Sequence, residues 1–172
     1  MESLELVRDF VNTADLEDGE ERLADPGALQ YWLLFHGLAE LSDRATAADL
    51  DEALVLREAL RELLRAHTGV DADVDGASTV LDEIAAGRGL RIRFAAGSVA
   101  FEAERSGGLG GVLAAVAGAM ADGSWELLKA CRSDTCRWAF IDNARNHSRQ
   151  WCDMKVCGNR AKARAFRERR AG

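Results

Sequence analysis

Four cysteines, all within the last 42 residues, are the tightest constraint on how this 172-residue chain can fold. They form two pairs, Cys131 with Cys136 and Cys152 with Cys157, and four residues separate the members of each pair. Two short knuckles that each deliver two thiolates complete the tetrahedral shell of a structural zinc site, and the 15 residues between the pairs can form a ribbon that joins them. The spacing therefore predicts one structural Zn²⁺ on these cysteines.

Other roles for the cysteines fit the sequence less well. Two disulfides would need an oxidising compartment, yet residues 1–25 show no basic segment followed by an apolar one, the pattern of a secretory signal. A redox pair usually has two residues between its cysteines. Four thiolates also close the metal shell, whereas a catalytic zinc keeps one open position. His147, between the pairs, is an alternative ligand that could replace one cysteine.

Charge divides the chain into two opposed parts. Residues 129–172 hold 12 basic and four acidic side chains, a balance of +8, and residues 1–128 hold 10 basic and 25 acidic ones, a balance of -15. Such asymmetry indicates a basic module that meets a polyanion, and nucleic acid is the polyanion that we expect. A membrane surface fits less well, because the basic run lacks a wide apolar face.

Length and composition predict an N-terminal domain over residues 1–125 and a second module over 126–172. The whole chain is 48% hydrophobic, and the first part is long enough to bury a core of its own. The second module is so small that it needs a metal or a docking partner. The longest apolar run, Leu109–Ala121, is shorter than the roughly 18 residues of a membrane span. We expect a soluble, cytoplasmic protein.

Helical periodicity dominates the first 90 residues. In the clearest helix, which starts at Thr46 or Asp49 and ends by Gly69, leucines occupy one face, and Arg57, Arg61, Arg65 and neighbouring glutamates are assigned to the opposite, polar face. Three further helices are predicted at Leu4–Val11, from Pro26 after the cap residue Asp25, and at Ser78–Ala86.

The period changes to two at about residues 90–104, which predicts a β-hairpin with one wet face. Arg91 and Arg93 on the first strand are expected to face Glu102 and Glu104 on the second. The fold class is therefore α+β: a mainly helical N-terminal domain with one β-hairpin, and a small zinc-bound C-terminal module of treble-knuckle-like or ribbon-plus-helix type.

No motif points to catalysis. The glycine-rich stretch 106–111 lacks the lysine and hydroxyl of a phosphate-binding loop, and is read as a flexible connection into a helix of small residues, Gly111–Ala121, in which Gly118 and the alanines permit close packing. His36 is read as a core or boundary histidine, and Ser, His and Asp are too scattered for a triad. We expect that the protein is not an enzyme.

The last predicted helix, residues 159–170, carries the strongest basic signal. Arg160, Arg164 and Arg167 fall at positions i, i+4 and i+7, so three guanidinium groups share one helical face and can follow phosphates. The full set of expected nucleic-acid contacts is Arg160, Lys162, Arg164, Arg167, Arg169 and Arg170.

Cys157-Gly158-Asn159-Arg160 spells CGNR, and this part of the chain resembles the CGNR-type zinc finger over roughly residues 126–170. The matching string also includes Cys131, Cys136, Trp138, Phe140, Asp142, Asn146, Arg149, Trp151, Cys152, Met154, Lys162 and Arg164. Ala144, Gln150 and Asp153 stand where the family is expected to have serine, arginine and serine. The preceding residues are similar to the ABATE domain, a bacterial stress-induced transcription regulator domain, through the strings at 9–13 and 56–60.

The resemblance implies zinc on the four cysteines and a DNA-binding role. Beside the metal, Asn159 is expected to cap the last helix or to bond a thiolate, and Arg160 either to lock the knuckle or to make the first phosphate contact. The leading hypothesis is a zinc-dependent DNA-binding transcription regulator whose acidic domain senses a small-molecule effector or mediates association, for example as a homodimer. The alternative is a protein-interaction or small-molecule-binding module in which the zinc finger is only a structural staple.

Overall fold

A computed structural model describes residues 2–103 and 108–171 and confirms the α+β fold class. Within these residues there are six α-helices and three two-stranded antiparallel sheets. In chain order they are α1 (Glu2–Val11), β1 (Ala14–Asp15), β2 (Glu20–Glu21), α2 (Pro26–Phe35), α3 (Ala47–Ala66), α4 (Val74–Arg88), β3 (Leu90–Ala95), β4 (Ser98–Ala103), α5 (Leu109–Ala121), β5 (Leu128–Ala130), β6 (Ala139–Ile141) and α6 (Asn159–Ala171). None of the helices in the described ranges has both the length and the apolar character needed to cross a bilayer.

Side-chain caps set the starts of three helices. Asp25 accepts a hydrogen bond from the Ala28 amide at 2.8 Å, so α2 begins with proline as predicted. Thr46 and Asp49 form a capping box at the start of α3. Asp73 caps α4 by accepting a hydrogen bond from the Gly76 amide at 2.9 Å, and the helix therefore begins four residues before the predicted Ser78.

In the hairpin β3–β4, Arg91 lies opposite Glu102 and Arg93 lies opposite Ala100. Arg93 also reaches Glu102, with 3.7 Å between Nε and Oε2. The sequence predicts one wet face and one covered apolar face. The second expectation fails, since Ile92 and Phe94 on the apolar face are exposed. Among the hairpin residues whose burial the structure describes, only those at the base are half-buried, where the hairpin packs against α5.

Two expectations for this region concern residues 104–107, which lie outside the described residues. They are the charge pair of Glu104 and the first part of the glycine-rich connection, Ser106 and Gly107. The close packing expected of Gly118 occurs instead at the start of α5. A Cβ on Gly110 would clash with Ala103, and one on Gly111 would lie 2.6 Å from Leu38 Cδ2, whereas Gly118 faces open space.

The assignment of the α3 arginines to a solvent face is wrong. Arg57, Arg61 and Arg65 are at least nine-tenths buried, and Arg61 is only 1% exposed. Their long side chains cross the helix surface to reach hydrogen-bond partners on other elements, so a charge pattern along one helix misassigned them. This face of α3 points to the end of α1 and to the cysteine-rich part of the chain.

The short ribbon β5–β6 belongs to the same apolar core as the helices. Leu128 pairs with Ile141, and Ala130 pairs with Ala139. β5 packs against α3 and β6 against α1, and Leu128, Ala130 and Ala139 are fully or almost fully buried. Trp125 is buried in that core too. The domain boundary between residues 125 and 126 stays a prediction. In the structure the same apolar core extends across this boundary.

Candidate metal centre and basic helix

The structure brings the four predicted ligands together. All four Sγ atoms lie within 4.8 Å of one another, with 3.6 Å between Cys136 and Cys152 and 3.8 Å between Cys152 and Cys157. Sulfurs about 2.3 Å from a tetrahedral zinc are about 3.8 Å apart, so these separations fit one ion. A set of four cysteine sulfurs is also the donor set that structural zinc prefers.

The first knuckle is a tight turn directly after β5. The Cys131 amide donates to the Trp138 carbonyl at 2.9 Å, which closes the loop across its base. The Cys136 amide donates to the Ser133 carbonyl at 3.0 Å, and Arg137 takes a left-handed φ of 50° to turn the chain back into β6. The turn therefore directs both cysteines to the same side.

The second knuckle is held by Arg149 and Asp153. The Arg149 guanidinium donates to the Cys152 carbonyl at 2.7 Å and lies 4.9 Å from the centre of the Phe140 ring. The Asp153 carboxylate accepts from the Lys155 amide at 2.6 Å and the Val156 amide at 3.2 Å, at the start of a π-helical turn over Met154–Gly158. Asp153, a departure from the family pattern, thus caps the turn that carries Cys157.

The electrostatics of the cluster favour a cation. Hydrogen bonds from Cys136 and Cys152 hold the pKa of the Cys131 thiol far below its ordinary value. The hydrogen bond to Cys131 raises the pKa of Cys136 and of Cys152, and burial raises that of Cys157. Protein groups alone therefore stabilise one thiolate and oppose three more, and a divalent ion relieves that repulsion.

His147, the alternative ligand, lies outside the cluster. Its Nδ1 is 3.1 Å from the Asp142 carbonyl, in a loop where His147 itself has a φ of 46°. Asp142 is completely buried and forms an ion pair with buried Lys129, with 2.8 Å between Nζ and Oδ2. Burial opposes ionisation of Asp142, but the hydrogen bonds from Lys129 and from two backbone amides leave its pKa below the ordinary value. This pair joins β5 to the loop that follows β6.

Side chains of the helical part hold the first knuckle from the other side. Asn12 exchanges two hydrogen bonds with the backbone of Ala139, and Arg61 donates to the carbonyls of Arg137 and Val11 at 3.1 and 2.8 Å. Arg65 donates to Asp134 at 3.0 Å. The sequence interpretation missed these positioning residues. The ABATE-like string at 9–13, which contains Asn12, was the signal that could have revealed this residue.

The basic helix α6 begins directly after Cys157 and Gly158. In place of the predicted cap or thiolate bond, the Asn159 side chain donates to the Lys155 carbonyl at 3.0 Å. Arg160 forms an ion pair with Glu17, in the loop between β1 and β2, a partner that neither expectation included. The other predicted contact residues are all exposed on α6; they are Lys162, Arg164, Arg167, Arg169 and Arg170.

The loop between β1 and β2 also faces the cysteine cluster. Asp15, Glu17 and Asp18 line one side of a cleft of about 230 Å³, and Cys136 and Cys157 are among the residues of the other side. The acidic part of the chain therefore touches the basic part beside the metal centre. It does so at the first turn of α6 and leaves the rest of the helix uncovered.

Comparison with protein families matches both parts of the chain. The family model described as "Putative stress-induced transcription regulator", ABATE, matches residues 4–128, and the CGNR zinc finger model matches residues 128–170. A search among curated proteins finds no match. The four clustered cysteines lie within the matched finger, whose family binds zinc, and one Zn²⁺ is its cofactor. Because the ABATE model covers well over half of the chain, this protein belongs to the ABATE family and carries a CGNR zinc finger at its C-terminal side.

Proposed function

We propose that the protein is a zinc-dependent DNA-binding transcription regulator in which α6 contacts phosphates, and that Cys131, Cys136, Cys152 and Cys157 are the zinc ligands. The observation that carries this proposal is the exposure of α6. Along its described side chains only Ala161 and Ala165 are half-buried, and the others are exposed. The helix has its main contacts with the π-helical turn that bears Cys157, so the metal centre fixes its first turn.

The charges of α6 suit a groove rather than a flat surface. Arg164 and Arg167 lie on one side of the helix, whereas Lys162 and Arg169 lie on the opposite side at 100° per residue. A helix about 10–12 Å wide fills a major groove about 12 Å wide, which has a phosphate backbone on each side. Cations on two opposite faces can therefore contact both backbones.

The ionic-strength dependence of binding by the full chain tests the proposal. With five cations on five phosphates, the logarithm of the association constant for a labelled duplex should fall against the logarithm of salt with a slope of about -4.5. The double variant Arg164→Gln and Arg167→Gln should flatten the slope by about 1.8, whereas Arg93→Gln, an exposed arginine on β3, should leave it unchanged. Absence of binding at about 50 mM salt would exclude the DNA-binding role.

The second candidate function is a protein-interaction or small-molecule-binding module in which zinc only stabilises the fold. The ribbon β5–β6 favours it, because this part of the finger is built into the helical core. The same titration separates the two: a staple predicts no binding to DNA at low salt, together with unfolding when zinc is removed.

We also propose that the protein is not a catalyst, since four thiolates fill the zinc shell and leave no position for a substrate. The acidic domain would then sense a small-molecule effector or mediate association. The homodimer expected from the sequence stays a prediction.

A further inference from the structure

A cleft of about 430 Å³ lies where α1 and α2 meet the zinc finger. We call it the junction cleft. Its walls include Trp32, Phe35 and His36 from the helical part and Trp138 from the finger. The volume lies in the range of small-molecule sites, about 300–1,000 Å³. A molecule bound here would touch both parts of the chain at once.

Four aromatic rings line the junction cleft. The Trp32 and His36 rings are 4.2 Å apart between centroids, and Phe35 meets His36 edge to face at 5.2 Å. Trp138 contributes a fourth ring from the opposite part of the chain. Rings of this kind stack on or meet the edge of another flat ring, so the walls favour a planar aromatic ligand.

The polar residues of the cleft already have partners. Asn12 makes both of its hydrogen bonds to Ala139, and Thr13 donates to the Phe10 carbonyl at 2.7 Å and accepts from Arg57 at 3.2 Å. Both side chains are therefore satisfied without a ligand, and neither requires a strongly polar one.

The arginines at the cleft also have partners, in ion pairs with neighbouring carboxylates. Arg8 pairs with Asp9 at 2.8 Å, and Arg22 pairs with Glu20 at 3.5 Å. Burial keeps the pKa of His36 below its ordinary value even though Asp9 acts in the opposite direction, so the imidazole is uncharged at neutral pH. With paired charges and an uncharged imidazole, the cleft does not select a strongly charged ligand.

We infer that the junction cleft binds a planar bicyclic aromatic or heteroaromatic molecule without net charge. The junction cleft would be the site where the effector of the proposed function binds, so the inference rests on that function. Trp138 packs against the cysteine cluster, and its carbonyl accepts from the Cys131 amide. Ligand binding and the geometry of the first knuckle are therefore coupled, and zinc loading and ligand affinity influence each other reciprocally.

Quinoline, an uncharged bicyclic heterocycle at pH 7.5, is a direct probe of the cleft. In the zinc-loaded full chain, the indole N–H signals of Trp32 and Trp138 should shift with one saturable curve as quinoline is added. The signal of Trp125, which is buried in the core away from the lining of the cleft, should stay in place. The measurement needs no DNA, so it is independent of whether α6 binds nucleic acid.

Two variants on one helix sharpen the test. Phe35 and Tyr31 both lie on α2 and are 75% and 71% exposed, but only Phe35 lines the cleft. Phe35→Ala should weaken quinoline binding by about five- to tenfold, and Tyr31→Ala should leave it unchanged. An unshifted Trp125 signal shows that each variant is folded. Equal weakening by both variants, equal shifts of Trp125 and Trp138, or no saturable shift would overturn the inference.

Discussion

Asn12 and Ala139 exchange two hydrogen bonds, one in each direction, at 2.9 and 2.8 Å across 127 residues of sequence. Both residues are buried, so this side-chain amide acts as one more strand partner for β6. The last turn of α1 is thereby joined to the ribbon that carries the first knuckle. Because Ala139 follows Cys136 by three residues, the helical part helps to position one of the four clustered cysteines.

Asn12→Ala should lower the free energy of unfolding by about 2–4 kcal/mol, since it leaves a buried N–H and a buried carbonyl of Ala139 without a partner. Urea denaturation of the zinc-loaded chain measures the loss. Asn143→Ala is the control, because Asn143 is exposed in the loop after β6. A change below about 0.5 kcal/mol in Asn12→Ala would show that the pair does not stabilise the fold.

Cys136→Ser should reduce bound zinc from one ion per chain to none, and it should destabilise the helical part as well as the finger. The second effect follows from the bonds that Arg61 and Asn12 make to the backbone next to Cys136. Metal analysis and hydrogen exchange of α1 and α3 amides provide the two readouts. His147→Ala is the control and should keep its zinc. Zinc retained by Cys136→Ser but lost from His147→Ala would mean that the histidine is the ligand.

Glu17→Gln should strengthen DNA binding. The change frees Arg160 for one additional phosphate, which steepens the salt slope by about 0.9 and raises affinity by about fivefold at 0.15 M salt. Glu20→Gln makes the same change of charge on the same hairpin, but Glu20 pairs with Arg22 instead of Arg160. If both variants bind DNA equally well, general charge rather than the Glu17–Arg160 contact limits binding.

The stability of the chain should depend on Asp49 in acid. Hydrogen bonding to Thr46 and Arg88 lowers the pKa of Asp49 from 3.8 to about 2 in the folded protein, so its contribution is complete above about pH 4 and disappears as the pH falls toward 2. Asp49→Asn should therefore be about 1–2 kcal/mol less stable at pH 7, a figure discounted for the partial exposure of this carboxylate.

Urea midpoints of Asp49→Asn and the parent protein, measured from pH 7 to pH 2, should converge in acid. Taking the difference between them cancels any loss of zinc that both proteins share. Asp51→Asn, at an exposed position on the same helix, controls for the loss of a negative charge alone. A difference that does not change with pH would show that Asp49 does not stabilise the fold through its ionised form.

Local signals in the sequence were sufficient to predict that helices α1 to α4, the β3–β4 hairpin and the cysteine cluster are present. The cap at Asp25, the box at Thr46 and the paired cysteines each act over a few residues, so their chemistry can be read directly from the chain. The arginines of α3 were misassigned for the opposite reason. A charged residue at helical spacing usually faces water, and only the folded chain shows that Arg61 meets three carbonyls from two other segments.

The sequence was equally insufficient to predict the ion-pair partner of Arg160. Position 160 follows directly from the CGNR string, but Glu17 lies 143 residues earlier, in a loop of several acidic residues. Nothing in the spacing distinguishes Glu17 from its acidic neighbours. Long-range pairs of this kind depend on how the ribbon β5–β6 packs against α1 and α3. That packing forms only in the folded core and leaves no local signal in the sequence.

The packing of the ribbon β5–β6 in the helical core limits how this finger can be transferred to another protein. A finger moved to a foreign domain would leave behind Asn12 and Arg61, whose buried polar groups would lose their partners on Ala139 and Arg137. The moved ribbon would in turn expose Leu128 and Ala139 to water. The two matched regions are thus adjacent in sequence but share one packed core, and a chimera that keeps both of them folded must exchange α1, α3 and the ribbon as one unit.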